Sequence, residues 1–186
     1  MHRVVYVVGG DKSVMRMFES KGWIWFQSDE SDTAPDLVCF TGGEDVSPYL
    51  YGEENISSYC NPIRDEFEKE VYSEFVGKAP MVGICRGGQF LNVMNGGKMV
   101  QHIEGHSMGV RKVVISRQTR EIHEDHHQGI VPWMSSKIIG FDPRDGNIEI
   151  VWYEDTRCLC FQPHPEWGHD PTKELFFELL EGYVGL

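Results

Sequence analysis

The sequence predicts an α/β domain with a mostly parallel central sheet, and three observations carry that expectation. Val4-Val5-Tyr6-Val7-Val8, Leu37-Val38-Cys39-Phe40 and Pro80-Met81-Val82-Gly83-Ile84 are short continuous apolar runs, the form taken by strands buried on both faces. Segments with apolar residues at helical spacing lie between them. Gly9-Gly10, Gly42-Gly43 and Gly96-Gly97 stop elements where the chain must turn.

Val4 to Val8 is expected to be a central strand. Lys12 to Lys21 follows as a helix with Val14, Met17 and Phe18 on its apolar side, then Gly22 as a stop and Trp23-Ile24-Trp25-Phe26 as a short strand, which makes a βαβ opening. Leu37 to Phe40 is the next buried strand and ends at Thr41-Gly42-Gly43. Asn61-Pro62 offers an N-cap with proline in the first turn, after which Phe67, Val71 and Phe75 recur every four residues as the packed face of a helix ending at Gly77. The acidic run Glu66, Glu68 and Glu70 is expected to be its solvated face. Pro80 to Ile84 is a strand, and Gln89 to Asn95 a helix that packs through Phe90, Leu91, Val93 and Met94, with Cys85 between the two. Val110 to Ile115, Ile138 to Phe141, Ile148 to Trp152 and Cys158 to Phe161 are expected strands, separated by polar turns such as 142–146. Asp170-Pro171 caps a last helix that buries Leu175, Phe176, Leu179 and Leu180.

No repeat or linker interrupts these 186 residues, so one domain over 1–186 is expected, large enough to bury about 70% of its unfolded surface. Seventeen Lys and Arg against 29 Asp and Glu leave a formal charge of -12, which argues against nucleic acid and anionic membrane surfaces as partners. The opening apolar run is too short for a signal-peptide core, and no stretch approaches 18 apolar residues. Five cysteines without a Cys-x-x-Cys pair or an even ladder fit a reducing compartment, so a cytoplasmic location is expected.

Gly83-Ile84-Cys85-Arg86-Gly87 places a thiol at a strand-to-helix turn with glycine two positions to either side, the spacing of a nucleophile elbow. The helix start that follows presents unpaired N–H groups and partial positive charge, which favour a thiolate, and the Arg86 N–H points where an oxyanion would form. Such a nucleophile needs a base and the base needs an orienting carboxylate. His164-Pro165-Glu166, just after the last apolar strand, supplies both at i, i+2 spacing.

At these residues the sequence resembles the class I glutamine amidotransferase superfamily. Gly83 to Gln89 with His164-Pro165-Glu166 carry the resemblance. The stretch Gly42 to Glu53, then Arg64-Asp65-Glu66-Phe67-Glu68, Leu91-Asn92-Val93, Gly96-Gly97 and His126-His127-Gln128 are similar to its γ-glutamyl hydrolase branch, especially the γ-glutamyl-γ-aminobutyrate hydrolase type. The resemblance implies a three-layer, flavodoxin-like fold. It also implies Cys85 as nucleophile, His164 as general base and then acid, Glu166 as orienter, the N–H groups of Gly43 and Arg86 as oxyanion hole, and Gln89, His127 and Gln128 in the glutamyl pocket. Two departures are Pro163 directly before His164 and a chain short for this branch, which implies trimmed loops around the site.

The resulting expectation is a cysteine hydrolase of γ-glutamyl amides, working through a γ-glutamyl thioester without a cofactor. The alternatives are a glutaminase subunit that delivers ammonia to a separate synthetase, and a binding domain that keeps the fold without turnover. His123-Glu124-Asp125-His126-His127, with His102 and His106 nearby, has the composition of a metal site. It has no His-Glu-x-x-His frame, so a solvated loop and no catalytic metal are expected. Cys158 and Cys160 are expected to be buried packing residues.

Overall fold

The computed structural model describes residues 2–27 and 34–186. Strand β1 (Val4–Val8) sends Val5 and Val7 into one hydrophobic core and Tyr6 and Val8 into another, because successive side chains of a strand point to opposite faces. Both cores need covering, and the helices divide between them. Helix α1 (Lys12–Glu19), capped by the Asp11 side chain, and α4 (Asp170–Leu179) cover the first, through Val14, Phe18, Leu175 and Phe176. Helices α2 (Pro62–Phe75) and α3 (Arg86–Met94) cover the second, through Val71, Phe90, Leu91 and Val93. The result is a three-layer α/β arrangement.

Between the helix layers, β2 (Ile24–Phe26), β1, β3 (Leu37–Phe40), β4 (Met81–Ile84) and β11 (Cys158–Phe161) run parallel in that spatial order. Beyond β11 the sheet continues antiparallel through β10 (Ile148–Tyr153), β9 (Lys137–Phe141), β6 (Gly109–Ile115) and β7 (Gln118–Glu124). Short strands β5 (Lys98–Val100) and β8 (Gly129–Val131) pair with each other, and β8 also pairs with β10. Sequence periodicity does not reveal β5, β7 or β8. Two of them are three residues long, and β7 is polar along most of its length.

Glu66 and Glu70 are exposed as the acidic run of α2 predicts, but Glu68 departs from it. Asp65 and Glu68 are fully buried while Phe67 is exposed, so the helix turns charged residues inward. The reason is Arg86, itself only 1% exposed, which forms ion pairs with both carboxylates. Asp65 also accepts from the Ser47 N–H at 3.3 Å. The expected solvated loop around His123 is corrected too. Residues through Glu124 belong to β7, and Glu124 and His126 are buried.

Cys39, Cys158 and Cys160 are buried, and Cys60 is partly so. Burial pushes the Cys39 and Cys160 thiols well up and that of Cys158 to about 11, which keeps these three protonated and unreactive at neutral pH. Among the described residues no helix is long and apolar enough to cross a membrane.

Candidate active site

Three chain segments meet where β3, β4 and β11 end, at the carboxyl edge of the parallel sheet, where open α/β folds place their sites. The β4–α3 turn carries Cys85, with φ 50 and ψ -112, a backbone conformation that costs energy for a residue with a side chain. It is held from both sides: the Cys85 N–H donates to Phe161 O at 2.8 Å and its carbonyl accepts from the Gln89 N–H at 3.0 Å. The turn is tight enough that a Cβ on Gly87 would lie 2.2 Å from the Phe40 carbonyl oxygen. Gly87→Ala is therefore expected to destabilise the fold by about 1–3 kcal/mol or more, lowering Tm by roughly 2–12 °C. A thermal melt that matches wild type would show that β3 and the elbow do not pack this closely.

The segment after β11 brings in the histidine. His164 donates its backbone N–H to His123 O at 2.8 Å, and its ring Nδ1 bonds Glu166 Oε1 at 2.7 Å, which leaves Nε2 for other partners. The ring stacks on Trp167, with centroids 3.7 Å apart and an interplanar angle of 8°. Pro163 does not prevent this geometry. Burial works against charge on His164, but the facing Cys85, through charge and a hydrogen bond, and then Glu166 push its pKa up to about 10.

Around the sulfur, Gln162 Nε2 donates to Sγ at 3.6 Å, and Gln89 Nε2 donates to Gln162 Oε1 at 3.1 Å. Gln89 therefore reaches the thiol through Gln162, from the interior. On the other side Sγ faces the Asp125 carbonyl oxygen at 3.9 Å.

Gly43 adopts φ 141, and a side chain on it would collide with the Arg64 guanidinium. Arg64 clamps this loop, donating from Nη2 to Thr41 O at 3.0 Å and Gly42 O at 2.9 Å, and pairing with Glu44 at 3.0 Å and Glu68 at 2.8 Å. Because the Arg86 side chain is committed to Asp65 and Glu68, only its backbone is left to the site. Its N–H is in the first turn of α3 and has no intrahelical carbonyl to reach.

The structure places the remaining site residues separately. His127 is partly exposed and bonds the Asp45 carboxylate at 3.0 Å, whereas Gln128 is fully buried and donates to Ser58 Oγ at 2.8 Å. An open cavity of about 430 Å³, lined by 102–107 and 125–127, adjoins Asp125; Cys85 is not among its walls. Sequence reasoning assigned no role to Gln162, Trp167, Asp125 or Arg64. Trp167 directly follows His-Pro-Glu and was open to a local reading, whereas the other three act through contacts between distant segments.

Residues 33–127 match the family model described as peptidase C26. The chain is 30% identical to a protein of Lactococcus lactis described as glutamine amidotransferase-like YvdE, over 80% of this chain and 74% of that one. It is 29% identical to γ-glutamyl peptidase 2 of Arabidopsis thaliana, over 57% of this chain and 46% of the plant protein. Among solved structures, one from Thermoplasma acidophilum described as a GMP synthase subunit superposes with a TM-score of 0.76 at 17% identity, covering 100% of this chain and 96% of the other. That last likeness is one of fold.

Proposed function

The chain belongs to the peptidase C26 family, and from that premise we propose that it is a cysteine hydrolase of γ-glutamyl amides, with Cys85, His164 and Glu166 as its working groups. The observation that carries this reading is the elbow itself, a strained cysteine at a helix start facing a histidine that a carboxylate orients at 2.7 Å. In the proposed reaction Cys85 Sγ attacks the γ-carbonyl carbon of the substrate amide. The N–H groups of Gly43 and Arg86 stabilise the resulting oxyanion. His164 gives its proton to the nitrogen as the C–N bond breaks, releasing ammonia or an amine and leaving a γ-glutamyl thioester. His164 then takes a proton from water as water attacks the thioester, and glutamate leaves. Glu166 holds the ring in the tautomer this exchange needs. Gln89, His127 and Gln128 are proposed to shape the glutamyl side of the pocket, Gln89 through Gln162.

Incubation with glutamine and a panel of γ-glutamyl amines tests the reading. Glutamate release that disappears when Cys85 is alkylated is expected, and its absence across the panel sinks the proposal. The pH profile gives a second check. His164 is raised from 6.5 to about 10, so the charge on its ring, and the stability it contributes, is fully present below the lower value and is lost as pH rises through the higher one. The value of kcat/KM should therefore fall on an alkaline limb near pH 10, where the proton donor for the leaving amine is lost. Glu166→Gln should move that limb to lower pH. A wild-type limb near 6.5 contradicts a charge-supported His164.

A second reading is a glutaminase subunit that hands ammonia to a synthetase, supported by the likeness of fold to the Thermoplasma acidophilum chain described as a GMP synthase subunit. Glutamine hydrolysis that appears only with a co-purifying synthetase would favour it.

A further inference from the structure

Next to the proposed hydrolase site, and independent of it, four buried side chains aim unpartnered atoms at one point. Glu124 ends β7, His126 follows two residues later on the same side of the chain, Glu149 lies on β10, and His106 precedes β6. A hydrogen bond from the His126 N–H to His106 O at 2.9 Å holds the two histidine segments together. His106 Nδ1 lies 3.1 Å from Glu124 Oε1 and 3.6 Å from Glu149 Oε1; His126 Nε2 lies 3.6 Å from Glu124 Oε2 and 3.5 Å from Glu149 Oε2. Ligands about 2.0–2.2 Å from a tetrahedral ion stand about 3.3–3.6 Å from one another. The observed histidine–carboxylate spacings run from 3.1 to 3.6 Å, and one ligand atom from each of the four residues lies within 4.8 Å of the other three.

The outer contacts determine where the ring protons sit. His126 Nδ1 meets Gln128 O at 2.9 Å, and His106 Nε2 meets Asp145 Oδ2 at 2.8 Å. Carbonyl and carboxylate oxygens can only accept, so these distal nitrogens carry protons, and the opposite nitrogen of each ring, His106 Nδ1 and His126 Nε2, faces the carboxylates. A carbonyl or carboxylate behind the distal nitrogen is the usual outer support of a metal-bound imidazole. His106 Nδ1, His126 Nε2, both Glu124 oxygens and Glu149 Oε2 have no hydrogen-bond partner, and all four residues are at least nine-tenths buried. Such orphaned groups are costly unless a cation completes them. Arg111 and Arg144 approach Glu124 at 3.6 and 3.7 Å, but Arg144 is engaged by Asp142. With Asp142 and Asp145 included, four carboxylates surround the two histidines and only two guanidinium groups approach them.

We propose that His106, Glu124, His126 and Glu149 form a closed structural site for one divalent transition-metal ion, zinc by its ligand set and four-coordinate geometry. The ion ties the end of β7 to β10 and to the segment before β6. Entry is from the open cavity, whose wall includes both histidines. The same stretch of chain gives the His164 N–H its acceptor at His123 and faces the Cys85 sulfur with the Asp125 carbonyl, so the ion would steady the surroundings of the thiol without touching it.

Titration of the chelator-treated, full-length wild-type protein with Co²⁺ alone, followed by Zn²⁺ alone, tests the site. One equivalent of Co²⁺ is expected, with the visible absorption of a four-coordinate ion and no sulfur-to-cobalt charge-transfer band, displaced by one equivalent of Zn²⁺. Asp145→Asn, which alters only an outer support, should weaken binding about 10- to 100-fold, and His126→Gln or Glu149→Gln by more than about 100-fold. No stoichiometric uptake by the wild type means that protons and the two arginines hold the cluster, and overturns the proposal. A sulfur charge-transfer band places the ion on a cysteine and overturns it as well, as does undiminished affinity in the ligand variants. Should those variants fail to fold, the wild-type titration decides, together with a wild-type unfolding midpoint that rises on adding Zn²⁺.

Discussion

Replacing Cys85 by serine is expected to lower kcat/KM for γ-glutamyl amide hydrolysis by about 10⁴-fold or more, while the protein remains folded. The loss is large because the thiol is proposed to form the bond that carries the acyl group, and nothing else at the elbow can replace it. Folding should survive because the change keeps the size of the side chain, and the backbone bonds to Phe161 and Gln89 that hold the turn do not involve sulfur. His164→Ala should cost a similar factor, and the double variant little more than either single one, since groups that act as a unit are not additive. Mass spectrometry of wild-type protein quenched during turnover should find a γ-glutamyl adduct on Cys85. A serine variant that retains wild-type glutamate release would end the reading of Cys85 as nucleophile.

Glu68→Ala is expected to destabilise the protein by about 3–5 kcal/mol, a fall in Tm of roughly 6–20 °C for a chain of this size. Glu68 is fully buried between two arginines, bonding Arg64 Nε at 2.8 Å and pairing with Arg86. Truncating it leaves Arg86 in the interior with Asp65 as its remaining carboxylate. An exposed glutamate on a helix, as the acidic run predicts from sequence, would change stability by no more than about 0.5 kcal/mol. Thermal or urea unfolding therefore separates the two outcomes. Activity should fall as well, because Arg86 begins the helix behind Cys85 and Arg64 clamps the loop that carries Gly43.

Glu68 also shows why part of the fold was not legible in the sequence. A helical acidic run with apolar residues every four positions has one inexpensive arrangement in isolation, with carboxylates in water and Phe67 inside. Arg86, buried 18 residues further on, reverses that preference by supplying opposite charge within the protein. The Arg64 to Glu68 stretch and the arginine after the cysteine, separate features in the sequence, are one ion-pair network. The His123 to His127 stretch is a similar case: its composition suggested a metal site, yet burial and the convergence of Glu124, His126, His106 and Glu149 required β6, β7 and β10 to be brought together in the sheet.

By itself the sequence determined the order of the principal strands and helices, the position of Cys85 at a strand-to-helix turn, and the local pairing of His164 with Glu166. These depend on periodicity, on glycine at a tight turn, and on residues two apart, all of which are short-range properties of the chain. Tertiary structure alone decided that Gln162 and Asp125 flank the sulfur, that Trp167 stacks on the imidazole, and that charged residues of α2 face inward. Burial is a property of what packs against a residue. It selects among arrangements that local propensity leaves nearly equal in energy, so it is settled only when distant segments meet.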